Sequence, residues 1–468
     1  MWKPLAAFVI LSSAVHAQPA KIVGSWLGTL DAGPQKLRMG LHITGNDKGE
    51  LTSSLDSLDQ NALGIPVQQT SLTNNNLHLD IPAPPAQYDG ALNSDGNELA
   101  GTFIQGAARL PLQFRRVDNL EAPGRANRPQ NPRPPYPYDV EDVSYENKDV
   151  SHENNAIHLA GTLTLPRGQG PFPAAVMITG SGPQDRDETL LGHKPFWIIA
   201  DYLTRRGIAV LRVDDRGVGK SSGDSFRATL DDAAGDVLAG VEYLKGRKEI
   251  DPNHIGVIGH GEGGTIGPVA AARSAEIAFV VMLAGTGVTG EQVVYRQGEL
   301  IQRAAGASDA ALAQTRTLQE TVFGTIRTEK DEAAAAGKLR AALDRFGLPA
   351  AAVDGTIAQW NSPEMRSMLV FDPAQALSKV KAPVLALNGS RDLHVSPQQN
   401  LPAIAAALAQ GGNTDFAIME LPGLNHVFQR CSKCTVDEYS ELEQTFSPTA
   451  LAIIGDWIML HARGQDEK

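Results

Sequence analysis

Two rhythms of apolar and polar positions divide the chain. In the first hundred or so residues the apolar side chains recur at every second position. Leu37, Met39, Leu41 and Ile43 form one such run, and Leu77, Leu79 and Ile81 another. A period of two places alternate side chains on opposite faces of a strand, so these runs predict half-buried strands. Turn-forming clusters separate them: Gly45-Asn46-Asp47, Asn74-Asn75-Asn76 and Ser94-Asp95-Gly96-Asn97. Residues 21–117 therefore read as a small antiparallel β domain, a meander or half-barrel. His42 and His78 each lack a second candidate ligand or base nearby in sequence, so a scaffold role is expected there.

From about residue 138 the rhythm changes. Short apolar runs at 174–179, 209–213, 255–258, 277–283, 384–387 and 416–421 alternate with stretches of helical spacing such as 196–206 and 230–244. Strand and helix in alternation predict βαβ units and a mostly parallel sheet covered on both faces, an α/β architecture over 138–468. The beat breaks between about 290 and 377, where Ala-, Glu-, Gln- and Arg-rich sequence of helical period predicts a helical cap. Between the two regions, 118–137 carries prolines at 123, 129, 132, 134, 135 and 137, which predicts a stiff, extended linker.

The first residues bear on destination. Lys3 precedes a short apolar stretch over 5–15, and Val15-His16-Ala17 offers the small residues that a signal peptidase reads, so cleavage after Ala17 and export to the periplasm or medium are expected. Past residue 20 no apolar run reaches the roughly 18 residues of a membrane span, so no integral membrane segment is expected after cleavage. A net charge of -12 argues against a nucleic-acid partner. The two cysteines, Cys431 and Cys434, are expected to form a local disulfide in an exported protein. A metal would need two further ligands and only His426 is near, so no metal or cofactor is expected.

Ligands of open α/β sheets bind beyond the carboxyl ends of the strands. The apolar run at 255–258 enters Gly259-His260-Gly261-Glu262-Gly263-Gly264 ahead of a helical stretch. Strand, glycine-flanked turn and helix is the frame of a nucleophile elbow, whose apex holds a nucleophile. Here the apex is Gly261.

Five blocks in this order resemble the secreted bacterial α/β-hydrolases related to serine esterases and serine aminopeptidases. They are Thr179-Gly180-Ser181-Gly182-Pro183-Gln184-Asp185-Arg186-Asp187, Asp214-Asp215-Arg216-Gly217-Val218-Gly219-Lys220-Ser221, the elbow, Asn388-Gly389-Ser390-Arg391-Asp392, and Leu421-Pro422-Gly423-Leu424-Asn425-His426. The resemblance covers about 140–462 and implies an α/β-hydrolase fold with a helical cap insertion. It implies a triad with Gly261 at the nucleophile position, Asp392 as acid and His426 as base. It places the oxyanion hole at the backbone of Glu262 and the loop at Ser181 and Gly182, and the substrate as a small-molecule ester or short peptide. Glycine departs from the family's serine. That leaves a natural loss, an engineered knock-out, or direct activation of water by His426 and Asp392, with a non-catalytic binding protein as the alternative.

Other residues were weighed and set aside. His394 is expected on an exposed loop, Glu364 at solvent rather than in the pocket, and Thr265 pointing away from the site. Gly219-Lys220-Ser221 lacks the glycine a P-loop needs at Asp214. Asp185 and Asp187, flanking Arg186, read as an ion-paired loop rather than a metal site.

Overall fold

The structure is a computed structural model that describes residues 21–31, 36–46, 50–58, 62–82, 85–105, 108–117, 128–148, 156–346 and 350–462. The expected signal segment, 1–17, and residues 118–127 of the expected linker lie outside the described residues. The chain divides into two compact units, 1–123 and 124–468.

The first unit is one antiparallel sheet of nine strands: β1 (Gly24–Asp31), β2 (Lys36–Gly45), β3 (Leu51–Ser57), β4 (Ala62–Pro66), β5 (Gln69–Thr73), β6 (Asn76–Pro82), β7 (Pro85–Leu92), β8 (Glu98–Gln105) and β9 (Ala108–Val117). Their order is β4-β3-β2-β1-β9-β8-β7-β6-β5. The sheet curls until side chains of β3 and β5 meet, with the Ser53 and Thr70 hydroxyls 2.5 Å apart. The period-two residues Leu41, Ile43, Leu77 and Leu79 turn inward to join Trp26, Tyr88 and Phe114 in the core. His42 and His78 do have partners, supplied by neighbouring strands: His42 meets Asp56 at 2.9 Å and His78 meets Asp89 at 2.7 Å.

The second unit holds an eight-stranded sheet of β10 (Tyr138–Asn147), β11 (Ile157–Pro166), β12 (Phe172–Ile178), β13 (Ala209–Val213), β14 (Ile250–His260), β15 (Val280–Leu283), β16 (Val384–Gly389) and β17 (Phe416–Leu421). Its order is β10-β11-β13-β12-β14-β15-β16-β17. The six strands from β12 onward pair in parallel, while β10 and β11 add an antiparallel edge. Alternate side chains feed two cores, one per face. Ala174, Val176 and Ile178 face one with Val237 and Ile266; Ala175 and Met177 face the other with Ile198 and Ile454. Each fully buried aliphatic side chain is worth roughly 1.5–3 kcal/mol, which makes this sheet a stiff platform.

Helices α1 (Pro195–Thr204), α2 (Leu230–Lys245), α3 (Gly263–Arg273), α10 (Pro397–Gln410) and α12 (Pro448–Ala462) cover it. α2 starts where Thr229 and Asp232 cap each other reciprocally, the Thr229 hydroxyl accepting from the Asp232 N–H at 3.2 Å and the Asp232 carboxylate from the Thr229 N–H at 2.9 Å. The helical insertion comprises α4 (Gly290–Ala304), α5 (Asp309–Thr328), α6 (Glu332–Leu343), α7 (Ala350–Trp360), α8 (Pro363–Val370) and α9 (Ala374–Leu377). α4 to α8 build a core of their own around Phe323 and Leu339. α9 instead puts Ala376 and Leu377 into the core of the sheet, so the cap proper ends with α8.

The expected linker also needs correction beyond residue 127. Arg128 donates to the carbonyls of Leu191 and Ser440, each at 3.1 Å, and Gln130 accepts from the Thr445 N–H at 2.6 Å. The Nη1 and Nη2 groups of this guanidinium donate to the carbonyls of Leu442, Leu191 and Ser440, so this stretch is part of the second unit rather than a spacer.

Candidate active site

The site begins with the turn between β14 and α3. A Cβ at Gly259 would collide with the Gly263 carbonyl, and one at Gly263 with the carbonyls of Ile178 and Thr179, so both positions demand glycine. Between them Gly261 sits at φ +56°, in the left-handed region that a side chain enters only at a cost. A Cβ built on Gly261 would stand 3.4 Å from Nε2 of His426 and 3.7 Å from the Cα of Gly180. The space at the apex is thus the size of a small side chain, and an imidazole nitrogen borders it.

His426 follows β17 and Asp392 follows β16. Asp392 is buried, and one of its oxygens accepts the N–H groups of His394 at 2.7 Å and Val395 at 2.9 Å. Its other oxygen lies 2.8 Å from Nδ1 of His426. A carboxylate accepts and cannot donate, so Nδ1 carries the hydrogen and Nε2 turns its lone pair toward the Gly261 corner. Gly261, Asp392 and His426 are thus brought together at one corner of the sheet.

The expected oxyanion donors are close by, with one complication. Glu262 stands at the N-terminus of α3, where backbone N–H groups lack intrahelical acceptors. Burial pushes its carboxyl upward, and the nearby Ser181 side chain opposes that shift. The carboxyl of Glu364 lies near the Gly182 N–H, which favours its charged form. Glu364, expected at solvent, in fact comes down from α8 beside Glu262. Burial, then the Glu262 charge, pushes it up to about 7, the Gly182 N–H opposing.

His394 corrects a second expectation. It is half-buried in the site, its ring centroid 4.9 Å from that of His426, and Nδ1 accepts from Gln297 of α4 at 2.9 Å. Burial and the nearby His426 lower it to about 4, so it is a neutral ring at neutral pH. Thr265 also lines the cavity, contrary to expectation, though its hydroxyl is engaged by that of Thr286 at 2.7 Å. Glu364 and His394 both stood out in the sequence but were expected at solvent; what surrounds them comes from elements remote in the chain, Gln297 of α4 beside His394 and Glu262 beside Glu364.

Ser181, Gly261, Glu262, Thr265, His394 and His426 border a cavity of about 280 Å³ between strand ends and cap, while Gly182 and Glu364 line a neighbouring one. Val293, Val294 and Met368 of the cap supply an apolar wall opposite Gly261 and His426. Below, Asp214 pairs with Arg186 at 2.6 Å and Asp187 with Lys194 at 3.0 Å, an ion-paired loop as the sequence implied. Cys431 and Cys434 are bonded to each other. They form a close group with Glu438, but the bonded sulfurs offer no thiolate and the Glu438 carboxylate is taken by the N–H groups of Ser432, Lys433 and Cys434. Among the described residues no helix is long and apolar enough to cross a membrane.

Sheet order, turn and cap make the second unit an α/β-hydrolase. Residues 155–416 match the family described as X-Pro dipeptidyl-peptidase (S15 family), and the chain belongs to that family. It is similar to esterase EstD of Thermotoga maritima, 28% identical over 288 residues that make up 62% of this chain and 61% of the relative. The match thus spans under two thirds of that relative's length. Among solved structures, an esterase of Pyrococcus furiosus is similar at 16% identity over 72% of this chain and 98% of the other, with a TM-score of 0.44. Est1E of Butyrivibrio proteoclasticus with bound ferulic acid is similar at 18% identity, 66% and 97% coverage, and a TM-score of 0.39.

Proposed function

We propose that this chain is an exported hydrolase of carboxylic esters or short peptides whose nucleophile position holds Gly261, so that no acyl-enzyme forms. The supporting observation is the Gly261 corner, where a Cβ would lie 3.4 Å from Nε2 of His426. A serine hydroxyl there would be within a hydrogen bond of the base. The family description names a peptidase and the curated relative is an esterase, so both alcohol and amine leaving groups are in range.

The chemistry follows from the arrangement. Asp392 orients the imidazole and stabilises the cation that forms on it, and Nε2 takes the proton of whatever attacks the substrate carbonyl. The acyl group lies against the apolar cap wall, and the N–H of Glu262 at the head of α3 meets the developing oxyanion. With glycine at the apex the attacking group is water. A site stripped of its nucleophile retains roughly 10³–10⁴-fold acceleration over solution, far below a complete triad. Export is supported by Lys3, the apolar residues 5–15 and the small residues at 15 and 17.

The test is hydrolysis of p-nitrophenyl butyrate by this chain and by Gly261→Ser. The serine variant is expected to be faster by about 10³-fold or more. An inert variant with an intact fold would favour the other reading, a receptor for a small acyl or peptide ligand. That reading draws on the half-buried Glu364 carboxyl, which stands beside Glu262 and the Gly182 N–H.

A further inference from the structure

Behind His426 lies a second histidine–carboxylate pair that the mechanism above does not use. His260, the residue before Gly261, is buried, and both its ring nitrogens face oxygen. Nδ1 is 2.8 Å from Oε1 of Glu188, and Nε2 is 3.0 Å from the backbone carbonyl oxygen of His426. The same Glu188 oxygen accepts the N–H of Gly180 at 2.8 Å. Glu188 is itself buried and is held at φ +52°, a backbone state with an energetic cost for a side-chain-bearing residue.

A carbonyl oxygen has no hydrogen to give, so Nε2 of His260 must carry one. A neutral imidazole has only that one N–H, which would leave the bare Nδ1 lone pair against a carboxylate. The contact at Nδ1 therefore holds a second proton. An oxygen already receiving the Gly180 N–H is better suited to the ionised state, which puts that proton on the ring.

We propose that His260 is a permanent imidazolium paired with the Glu188 carboxylate, and that the two are positioning residues for the candidate site. They tie together the loop after β12 through Gly180, the elbow through His260 itself, and the base loop through the His426 carbonyl. Each tie fixes one of the three parts that must meet at Gly261. Burial alone would push the imidazole down, but the Glu188 charge, its hydrogen bond and the His426 carbonyl outweigh it, and the net direction is up. The other titratable groups facing the ring are His426, its centroid 4.7 Å away, the Asp392 carboxylate and the neutral ring of His394. Phe196, Leu283 and Phe446 line a small void beside His260 and Glu188.

The role in catalysis rests on the proposed hydrolase reading, whereas the protonation state does not. Ring-nitrogen NMR of this chain with ¹⁵N-histidine tests the latter directly. Both His260 nitrogens are expected to carry hydrogen from pH 6 to 8.5, with the signature lost in Glu188→Gln; a neutral tautomer at pH 7 overturns the proposal. In the Gly261→Ser background, adding Glu188→Gln is expected to lower kcat about 10- to 100-fold with KM within about twofold, as for a base displaced by a fraction of an ångström. An unchanged kcat with near-UV circular dichroism retained overturns the positioning role. Should Gly261→Ser itself be inert, the functional reading fails while the spectrum still decides the state of His260.

Discussion

Two histidine–aspartate contacts of nearly equal length sit in the two units. In the β unit His42 meets Asp56 at 2.9 Å across neighbouring strands, with 41% of the imidazole exposed. In the hydrolase unit His426 meets Asp392 at 2.8 Å, with the imidazole 16% and the carboxylate 0% exposed. The pair alone is thus no signature of chemistry. What distinguishes the second is its setting: strand ends rather than a sheet face, a carboxylate fixed by two further N–H donors, and a free imidazole nitrogen turned to an empty corner beside a cavity.

The comparison can be broken most forcefully at the acid. In the Gly261→Ser background, Asp392→Asn is expected to lower kcat by about 10⁴-fold, because the imidazole is then held in the wrong tautomer. Steady-state hydrolysis of p-nitrophenyl butyrate measures it. A drop under tenfold would put the two pairs on the same footing. Next in size is the stability of the apex itself. Gly261→Ser is expected to cost about 1–3 kcal/mol in denaturant unfolding, since the position keeps its positive φ. A stabilised serine variant would mean that the turn relaxes.

Asp56→Asn sharpens the contrast from the other side. An exposed pair is worth about 0.2–1 kcal/mol, so stability should fall by no more than that and hydrolysis by the serine variant should not change. A test read as a slope with pH concerns Glu364. Its folded-state value of about 7 lies above the ordinary 4.5, so between those limits the folded protein holds a proton the unfolded chain has released. Stability from this group is therefore present at low pH and lost as pH rises toward 7. The melting temperature of Glu364→Gln relative to the parent should climb from pH 5 to pH 8. Asp215, raised to about 8 by burial, bends both curves alike and cancels in the difference. A flat difference would place Glu364 in water.

Much of this site was legible because its parts are local signals at strand ends. The elbow is spelled by Gly259 and Gly263, whose missing side chains the turn requires, and Asp392 and His426 each follow an apolar run that becomes β16 or β17. The runs at 209–213 and 416–421 coincide with β13 and β17. β10 and β11 escaped notice as separate strands. β10 reads Tyr-Asp-Val-Glu-Asp-Val-Ser-Tyr-Glu-Asn, an edge strand with too few apolar residues to announce itself. The contacts of His260 with Glu188, of His394 with Gln297 and of Gly182 with Glu364 join residues far apart in the chain. No periodicity or short motif encodes such pairs, and only the folded sheet and its cap bring them together.

The left-handed turn at Gly261 has a genetic corollary. Codons GGC and AGC, for glycine and serine, differ by one base, and the backbone already holds the shape either residue must take. A lineage could cross between the glycine and serine forms by a single nucleotide exchange, limited mainly by the stability that a side chain at positive φ gives up.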